Sequence, residues 1–317
     1  MSNSVGFGTA GLGHLTHEAV TSALEQGFRS FDTAEADMWY DQKTVGKAFA
    51  AYFDPVIDSC QNMVEDDEAF CSTICRSQNL AVSTKIPPWE LSSFENIRSR
   101  AKSSREELVG FCDDGNYPLD VYYIHAPACW KGWHPRCDNV KNTLPLREAW
   151  KGMEAVAYDG TANRIGLSNV WPSQLLDIIN FVRERQKVDH GEEIPPPRMP
   201  DVVQAYADPF QPATELRQIC KDHGIEFVSY STLGTQHQMR DGRNPVLNDV
   251  EIKNIAEKHN RSPAEVVLSW ALQNEMSVIP RSRQHRHISE LSNLLTEEPF
   301  LDEFDLAIFD RLEIEMN

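Results

Sequence analysis

Eight short runs of β-type residues, each followed by residues at helical spacing, divide this 317-residue chain into repeating units. The runs predict strands over Val5–Thr9, Arg29–Asp32, Leu80–Thr84, Asp120–Ile124, Arg164–Leu167, Asp201–Ala205, Glu226–Tyr230 and Met276–Pro280. Helices are predicted over His17–Gln26, Leu146–Ala157, Pro172–Arg183, Ala213–His223 and Ser262–Gln273. The last carries its own start signal: Ser262 as N-cap, Pro263 in the first turn and Glu265 closing a capping box. Strands that alternate with helices pair in parallel, and eight such units close into a (β/α)8 barrel of the TIM type, about 250 residues long. The surplus length falls in three insertions, Asp54–Gln78, Ala128–Asn142 and Gln186–Pro200, within one domain spanning residues 1–317.

An open doubly wound sheet is the alternative. Gly6-Phe7-Gly8-Thr9-Ala10-Gly11 has the GxGxxG spacing of a dinucleotide loop, with Asp32 about 20 residues further on. That fingerprint also needs an apolar strand before its first glycine. Only Val5 stands there, behind polar residues. The closed barrel is therefore the expected fold.

Composition excludes several classes of partner. A net charge of −18 disfavours nucleic acid and anionic membrane surfaces, both of which need a basic face. No stretch approaches the ~18 apolar residues of a membrane span, and Met1-Ser2-Asn3-Ser4-Val5 has no signal-peptide pattern. The seven cysteines lack CxxC spacing, so free thiols in a reducing compartment, the cytoplasm, are expected. No ligand cluster for a metal stands out.

Three strands lead into residues that can hold or move a proton. Arg29–Asp32 ends on Asp32, with Tyr40 eight residues later; Leu80–Thr84 leads into Lys85, and Asp120–Ile124 into His125. In a parallel barrel these ends share one rim. An ammonium about 4 Å from a phenol, at an effective dielectric of ~20, is worth roughly 4 kcal/mol and would make Tyr40 a better acid. Asp32 would keep Lys85 charged, and His125 would orient a substrate oxygen or share the proton. Such a set suits protonation of an oxygen on which negative charge develops. Taken singly, each residue is ordinary: a helix cap, a snorkelling lysine, a core imidazole. Near the C-terminus, Arg281-Ser282-Arg283-Gln284-His285-Arg286-His287 concentrates positive charge in an acidic chain, as a site for a specific anion does.

These pieces, in this order, resemble the aldo-keto reductase family. Val5-Gly6-Phe7-Gly8-Thr9 is similar to its opening strand, and Gly27-Phe28-Arg29-Ser30-Phe31-Asp32-Thr33-Ala34 to the segment bearing its catalytic Asp. Val45-Gly46-Lys47-Ala48 resembles the helix that follows the catalytic Tyr. Ser83-Thr84-Lys85 and Asp120-Val121-Tyr122-Tyr123-Ile124-His125 carry the Lys and His. Ile165-Gly166-Leu167-Ser168-Asn169, Gln204, Val228-Ser229-Tyr230-Ser231-Thr232-Leu233-Gly234 and Ile279-Pro280-Arg281-Ser282 resemble its cofactor-binding strand ends.

The resemblance implies NADPH-dependent reduction of an aldehyde or ketone to an alcohol, with Asp32, Tyr40, Lys85 and His125 as the catalytic group. Ser168, Asn169 and Gln204 would hold the nicotinamide carboxamide, and Tyr230 would stack on its ring. Arg281 would take the 2′-phosphate. The remaining cofactor contacts would come from Gly8, Thr9, Ser231, Leu233, Ser282, Arg283, Arg286, His287 and Glu290. A small carbonyl compound is the implied partner, and a monomer or weak homo-oligomer the implied state.

The chain also departs from the family pattern. Asp32 to Gly46 is two residues longer than usual, and strict register from Gly46 puts Trp39 where the Tyr belongs; the proton donor is assigned to Tyr40 because only it carries the acid. His287 and Leu291 replace the family's Arg and Asn. Ala10 and Ala126 replace aromatic residues, leaving Trp89, Trp130 or Trp133 to wall the pocket. A barrel that binds NADPH without turnover, as a sensor or regulatory subunit, is the main rival; a hydrolase or lyase using His125 and Asp32 is the other.

Overall fold

The computed structural model describes residues 4–61, 74–112, 116–140, 143–187, 195–298 and 300–315. Eight strands follow one another around a single parallel sheet in sequence order: β1 Phe7–Gly8, β2 Ser30–Asp32, β3 Ala81–Ile86, β4 Leu119–Ile124, β5 Ala162–Ser168, β6 Val202–Tyr206, β7 Glu226–Tyr230 and β8 Ser277–Val278. The first and last edges meet through a parallel bridge between Val5 and Val278. Gly6 donates its N–H to Val278 O at 2.8 Å, and Gly8 donates to Pro280 O at 2.9 Å. The barrel therefore closes at a glycine seam. A Cβ on Gly8 would lie 2.7 Å from Ile279 O, so side chains are excluded there by the approach of the two chains. That seam is a structural role for the glycines, distinct from a phosphate loop.

Outside the sheet, Phe7, Phe28, Phe31 and Phe49 form an edge-to-face chain with centroids 4.9–6.1 Å apart, all fully buried. Inside it, Val121, Tyr123, Val202 and Val228 pack with Ile279. Gly166 makes room for the Tyr123 ring, which would stand 2.6 Å from an added Cβ. Below this layer Arg164 bridges Asp120 at 2.7 Å and Glu226 at 2.5 Å. The lumen is thus largely filled, with a cavity of about 40 Å³ left beside Tyr123, Arg164 and Gln204, and the large cleft lies at its upper mouth.

The helices fall close to their predicted places: Thr16–Glu25, Leu146–Tyr158, Pro172–Lys187, Thr214–Asp222 and Pro263–Gln273. Ser262 and Glu265 form the reciprocal capping box. β3 runs further than its sequence suggests and includes Lys85, which therefore projects from a strand rather than from the loop beyond it. Of the three insertions, Asp54–Gln78 continues the helix Gln42–Gln61 before leaving the described residues at 62–73, and 188–194 of the third also lie outside them.

The cysteine expectation is corrected. Cys75 is bonded to Cys112 and Cys129 to Cys137, with Cα atoms 5.7 and 5.3 Å apart. Partners 37 and 8 residues apart meet only through the fold, so spacing alone does not betray them. Cys220 stays free and buried, and burial pushes its thiol up to about 12. Cysteine usage thus no longer argues for a reducing compartment. Among the described residues no helix is long and apolar enough to cross a membrane.

Gly46 lies in the helix Gln42–Gln61 that follows Tyr40. Its helix crosses Phe94–Val109 so closely that a Cβ would sit 2.0 Å from Glu107 O, a backbone atom that cannot turn aside. Gly46→Ala gains about 1 kcal/mol of helix propensity, yet overpacking costs about 1–3 kcal/mol, and a backbone clash falls at the upper end. The variant is expected to be about 1–2 kcal/mol less stable, measured as a lower urea midpoint at unchanged slope.

Candidate active site

Register carries the reactive side chains to the barrel mouth. Gly8 pairs with Asp32, Asp32 with Ser83, and Lys85 with Tyr123, so Asp32 and Lys85 stand on adjacent strands. Lys85 Nζ lies 2.5 Å from Asp32 Oδ1 and donates to Thr33 O at 2.9 Å. The second carboxylate oxygen, Oδ2, accepts from Gln204 Nε2 at 2.8 Å, across 172 residues of sequence. Both members of the pair are buried, at 1% and 4% exposure. Satisfied on each side, the carboxylate avoids the heavy cost of an unpaired buried charge.

Tyr40 follows a turn at residues 37–39, which absorbs the extra length between Asp32 and Gly46. The Tyr40 N–H donates to Ala36 O at 3.1 Å, and Trp39 O accepts from Gly11 N at 2.6 Å. The Tyr40 ring lies 5.3 Å beneath Lys85 Nζ and meets the His125 ring edge-on, centroids 5.9 Å apart. The structure therefore brings Tyr40, rather than Trp39, to the lysine and the imidazole. Trp39 lines the same cleft, where it is 39% exposed.

The lysine does not act on the phenol as expected. Its ammonium is committed to Asp32 and sits over the aromatic face. Burial first, then the Asp32 carboxylate, hold the Tyr40 hydroxyl above the ordinary phenol range; Arg281 opposes them. Tyr40 is consequently held as the neutral phenol. Burial also lowers Lys85, against the pull of Asp32. The His125 imidazole is driven well below its ordinary value, by burial first and by Lys85 second. Its Nδ1 is buried without a hydrogen-bond partner among the described residues.

From this centre a cleft of about 740 Å³ runs between the loops, within the usual range for small-molecule sites. Asp32, Tyr40, His125, Gly8, Thr9, Ser168, Asn169, Gln204, Tyr230, Ser231, Leu233, Arg281 and Arg283 all line it. Asn169 adopts a left-handed backbone at φ 56°, which turns its amide back onto His125 O at 2.9 Å and Ser168 Oγ at 3.2 Å. Tyr230 donates its hydroxyl to Asn169 Oδ1 at 2.6 Å, fixing its ring. Arg283 donates to Gly11 O.

Four of the residues expected to contact the cofactor, Ser282, Arg286, His287 and Glu290, do not line this cleft. Arg286 is 84% exposed and paired with Glu290 at 2.8 Å along the helix His285–Ser292, while Ser282 Oγ accepts from Gln284 N at 3.0 Å. The run of positive charge splits because a helix begins inside it and turns its later members outward. Trp130 and Trp133 line the cleft as anticipated, whereas Trp89 lies behind them, stacked on His134.

Sequence reasoning missed Thr235, Gln236, Gln238 and Met239, also on the wall. They belong to the helix Thr235–Asp241, tied down by His237 Nε2 at 2.9 Å from the buried Asp208. The only sequence signal for it is Gly234, which takes φ 80° to start that helix.

A family model described as the aldo/keto reductase family matches residues 4–314. The chain belongs to that family. It is 27% identical to the NADPH-dependent D-xylose reductase of Meyerozyma guilliermondii, over 99% of this chain and 92% of that one. It is 31% identical to aldo-keto reductase family 1 member A1 of Sus scrofa, a match spanning 52% of this chain and 49% of the pig protein. Among solved structures, aldose reductase from Giardia lamblia superposes with a TM-score of 0.74 at 23% identity, covering 99% and 92% of the two chains. A Bombyx mori aldo-keto reductase solved with NADP superposes at 0.73 and 21% identity, over 98% and 89%. Members of this family are NAD(P)H-dependent oxidoreductases.

A base whose folded value is lowered takes up its proton only at more acid pH. His125 should thus be neutral at pH 6.5, where an ordinary imidazole is half charged. Its contribution to stability is present above its unfolded value and is lost as pH falls below it. Imidazole proton resonances of the wild type, assigned with His125→Asn, are expected to show no His125 midpoint near the ordinary value of 6.5.

Proposed function

We propose that this protein reduces a small aldehyde or ketone to an alcohol with NADPH, and that Tyr40 is the proton donor. The observation that carries this reading is the convergence of a neutral buried phenol, a buried Lys–Asp pair and a neutral imidazole at one end of a cleft large enough for a nucleotide.

Bound NADPH would supply the hydride. The residues present fit it. Ser168, Asn169 and Gln204 offer amide and hydroxyl groups on the wall, suited to a carboxamide, and the Tyr230 ring is fixed as a flat platform. Arg281 and Arg283 give the acidic chain its cationic stretch of cleft, suited to a phosphate.

The chain's own contribution is to hold and move one proton. A substrate carbonyl oxygen, placed between Tyr40 and His125, gains negative charge as its carbon is reduced. Tyr40 then donates its O–H proton to that oxygen. An alkoxide is more basic than a phenolate, so the transfer runs downhill even from a phenol whose proton is held tightly. His125, neutral, can orient the oxygen by a hydrogen bond without competing as a charged acid. As the phenolate forms, the Lys85 ammonium stabilises it, and Asp32 holds that ammonium in place. The lysine thus acts on the product of proton transfer more than on the resting acid. We assign the whole chain to one such barrel, acting as a monomer or weak homo-oligomer.

Two substitutions test the roles. Tyr40→Phe removes only the hydroxyl and is expected to lower kcat by about 10²–10⁴-fold in an aldehyde-dependent NADPH oxidation assay. NADPH affinity, read from nicotinamide fluorescence, should change little; a wild-type rate would move the donor role to another residue. Arg281→Ala should weaken NADPH by about 10- to 100-fold, the worth of a charged hydrogen bond, and NADH by much less. Equal losses for the two nucleotides would remove the 2′-phosphate assignment. The rival reading, a barrel that binds NADPH without turnover, predicts fluorescence change but no oxidation with any carbonyl.

A further inference from the structure

The Ala128–Asn142 insertion contributes a wall of the cleft, and a disulfide closes it. Cys129 and Cys137 bracket Trp130, Trp133, His134 and Arg136. Trp130 stacks on Trp133 with centroids 4.2 Å apart and planes 12° off parallel. Trp133 in turn meets His125 edge-on at 5.2 Å. Behind them His134 stacks on the buried Trp89 at 4.3 Å. The loop also reaches the turn that precedes Tyr40: His134 Nε2 and Arg136 Nη2 lie 3.2 and 3.0 Å from Asp37.

What keeps these indoles in place is limited. Among the described residues the loop has one short 3-10 turn, Pro135–Asn139, and no strand. Asp37 is 63% exposed, so its ion pairs are screened and weak. The covalent link across eight residues is the strongest constraint on the loop's shape. Both its cysteines are partly exposed, whereas Cys75 and Cys112 are fully buried. A soluble reductant therefore meets the 129–137 bond first.

We infer that the Cys129–Cys137 disulfide is a redox-sensitive staple that makes Trp130 and Trp133 the selectivity wall of the cleft. Closed, it presents a rigid indole pair beside His125 and favours flat aromatic carbonyls over short aliphatic ones. Opened, the wall loosens and that preference falls, while the chemistry at Tyr40 continues. The switching step is thiol–disulfide exchange with a dithiol: two electrons and two protons pass to the Cys129–Cys137 bond, giving two thiols, and the dithiol leaves as its own disulfide. This inference rests on the carbonyl-reductase reading.

The test uses the full-length protein before and after dithiothreitol, with benzaldehyde and propanal as paired substrates and NADPH as reductant. Alkylation and peptide mass spectrometry should show Cys129 and Cys137 reacting only after reduction, and before Cys75 and Cys112. On reduction, KM for benzaldehyde is expected to rise about tenfold, as for loss of an aromatic contact, with kcat and the propanal parameters within about twofold. Cys129→Ser should show the reduced-state KM without reductant and no further response to it. Trp133→Ala should abolish the redox response of KM.

Alkylation of Cys129 and Cys137 in untreated protein would overturn the inference. So would equal changes for benzaldehyde and propanal, or no change for either. If neither these nor any other aldehyde or ketone is turned over, the reductase reading fails, and the staple is judged by limited proteolysis. Reduction must then speed tryptic cleavage after Lys131 in the wild type but not in Cys129→Ser; no such difference disproves the staple.

Discussion

The buried Lys85–Asp32 pair is the interaction on which the rest of the site depends. An ammonium and a carboxylate withdrawn from water are tolerated only when each is fully partnered. Asp32 is partnered by Lys85 and Gln204, and Lys85 by Asp32 and Thr33 O. Those contacts tie β2, β3 and β6 together at the mouth, so the geometry is that of the barrel and not of a loop. The glycine seam between β1 and the end of β8 has a related effect, since closure holds these strand ends at fixed separations.

From that pair the electrostatics of the site follow. With its charge balanced by Asp32, Lys85 leaves the phenol protonated, and Asp32 and burial keep it so. The same ammonium, with burial, keeps His125 neutral. The resting site therefore has a neutral phenol beside a neutral imidazole, backed by a cation able to respond to new negative charge. Such an arrangement suits a reaction in which an oxyanion appears only transiently. It also separates two roles that a sequence-level argument merges: acidifying a resting group, and stabilising what that group becomes.

Much of the architecture is legible from residues alone, for physical reasons. Strands and helices alternate in hydrophobic period, and the Ser262–Glu265 capping box is a local hydrogen-bond pattern that needs no distant partner. Asp32 and His125 declare themselves because each sits at a strand terminus, where polar side chains have no reason to follow an apolar run. The arginine run is less transparent. Its composition points to an anion, but only the start of the helix His285–Ser292 separates Arg281 and Arg283, on the cleft, from Arg286 and His287, off it.

Local sequence determined the order of strands, the identity of the charged residues at their ends and the family pattern they compose, because backbone period and strand termini are short-range properties. Tertiary structure decided what depends on distant segments meeting. It set Tyr40 rather than Trp39 under Lys85, because a turn at residues 37–39 takes up the added length. It paired Cys75 with Cys112 and Cys129 with Cys137, and it joined Gln204 to Asp32. It also closed the expected Lys85–Asp32 pair to 2.5 Å with the ammonium over the face of the Tyr40 ring, since a buried ammonium is held by the carboxylate that neutralises it.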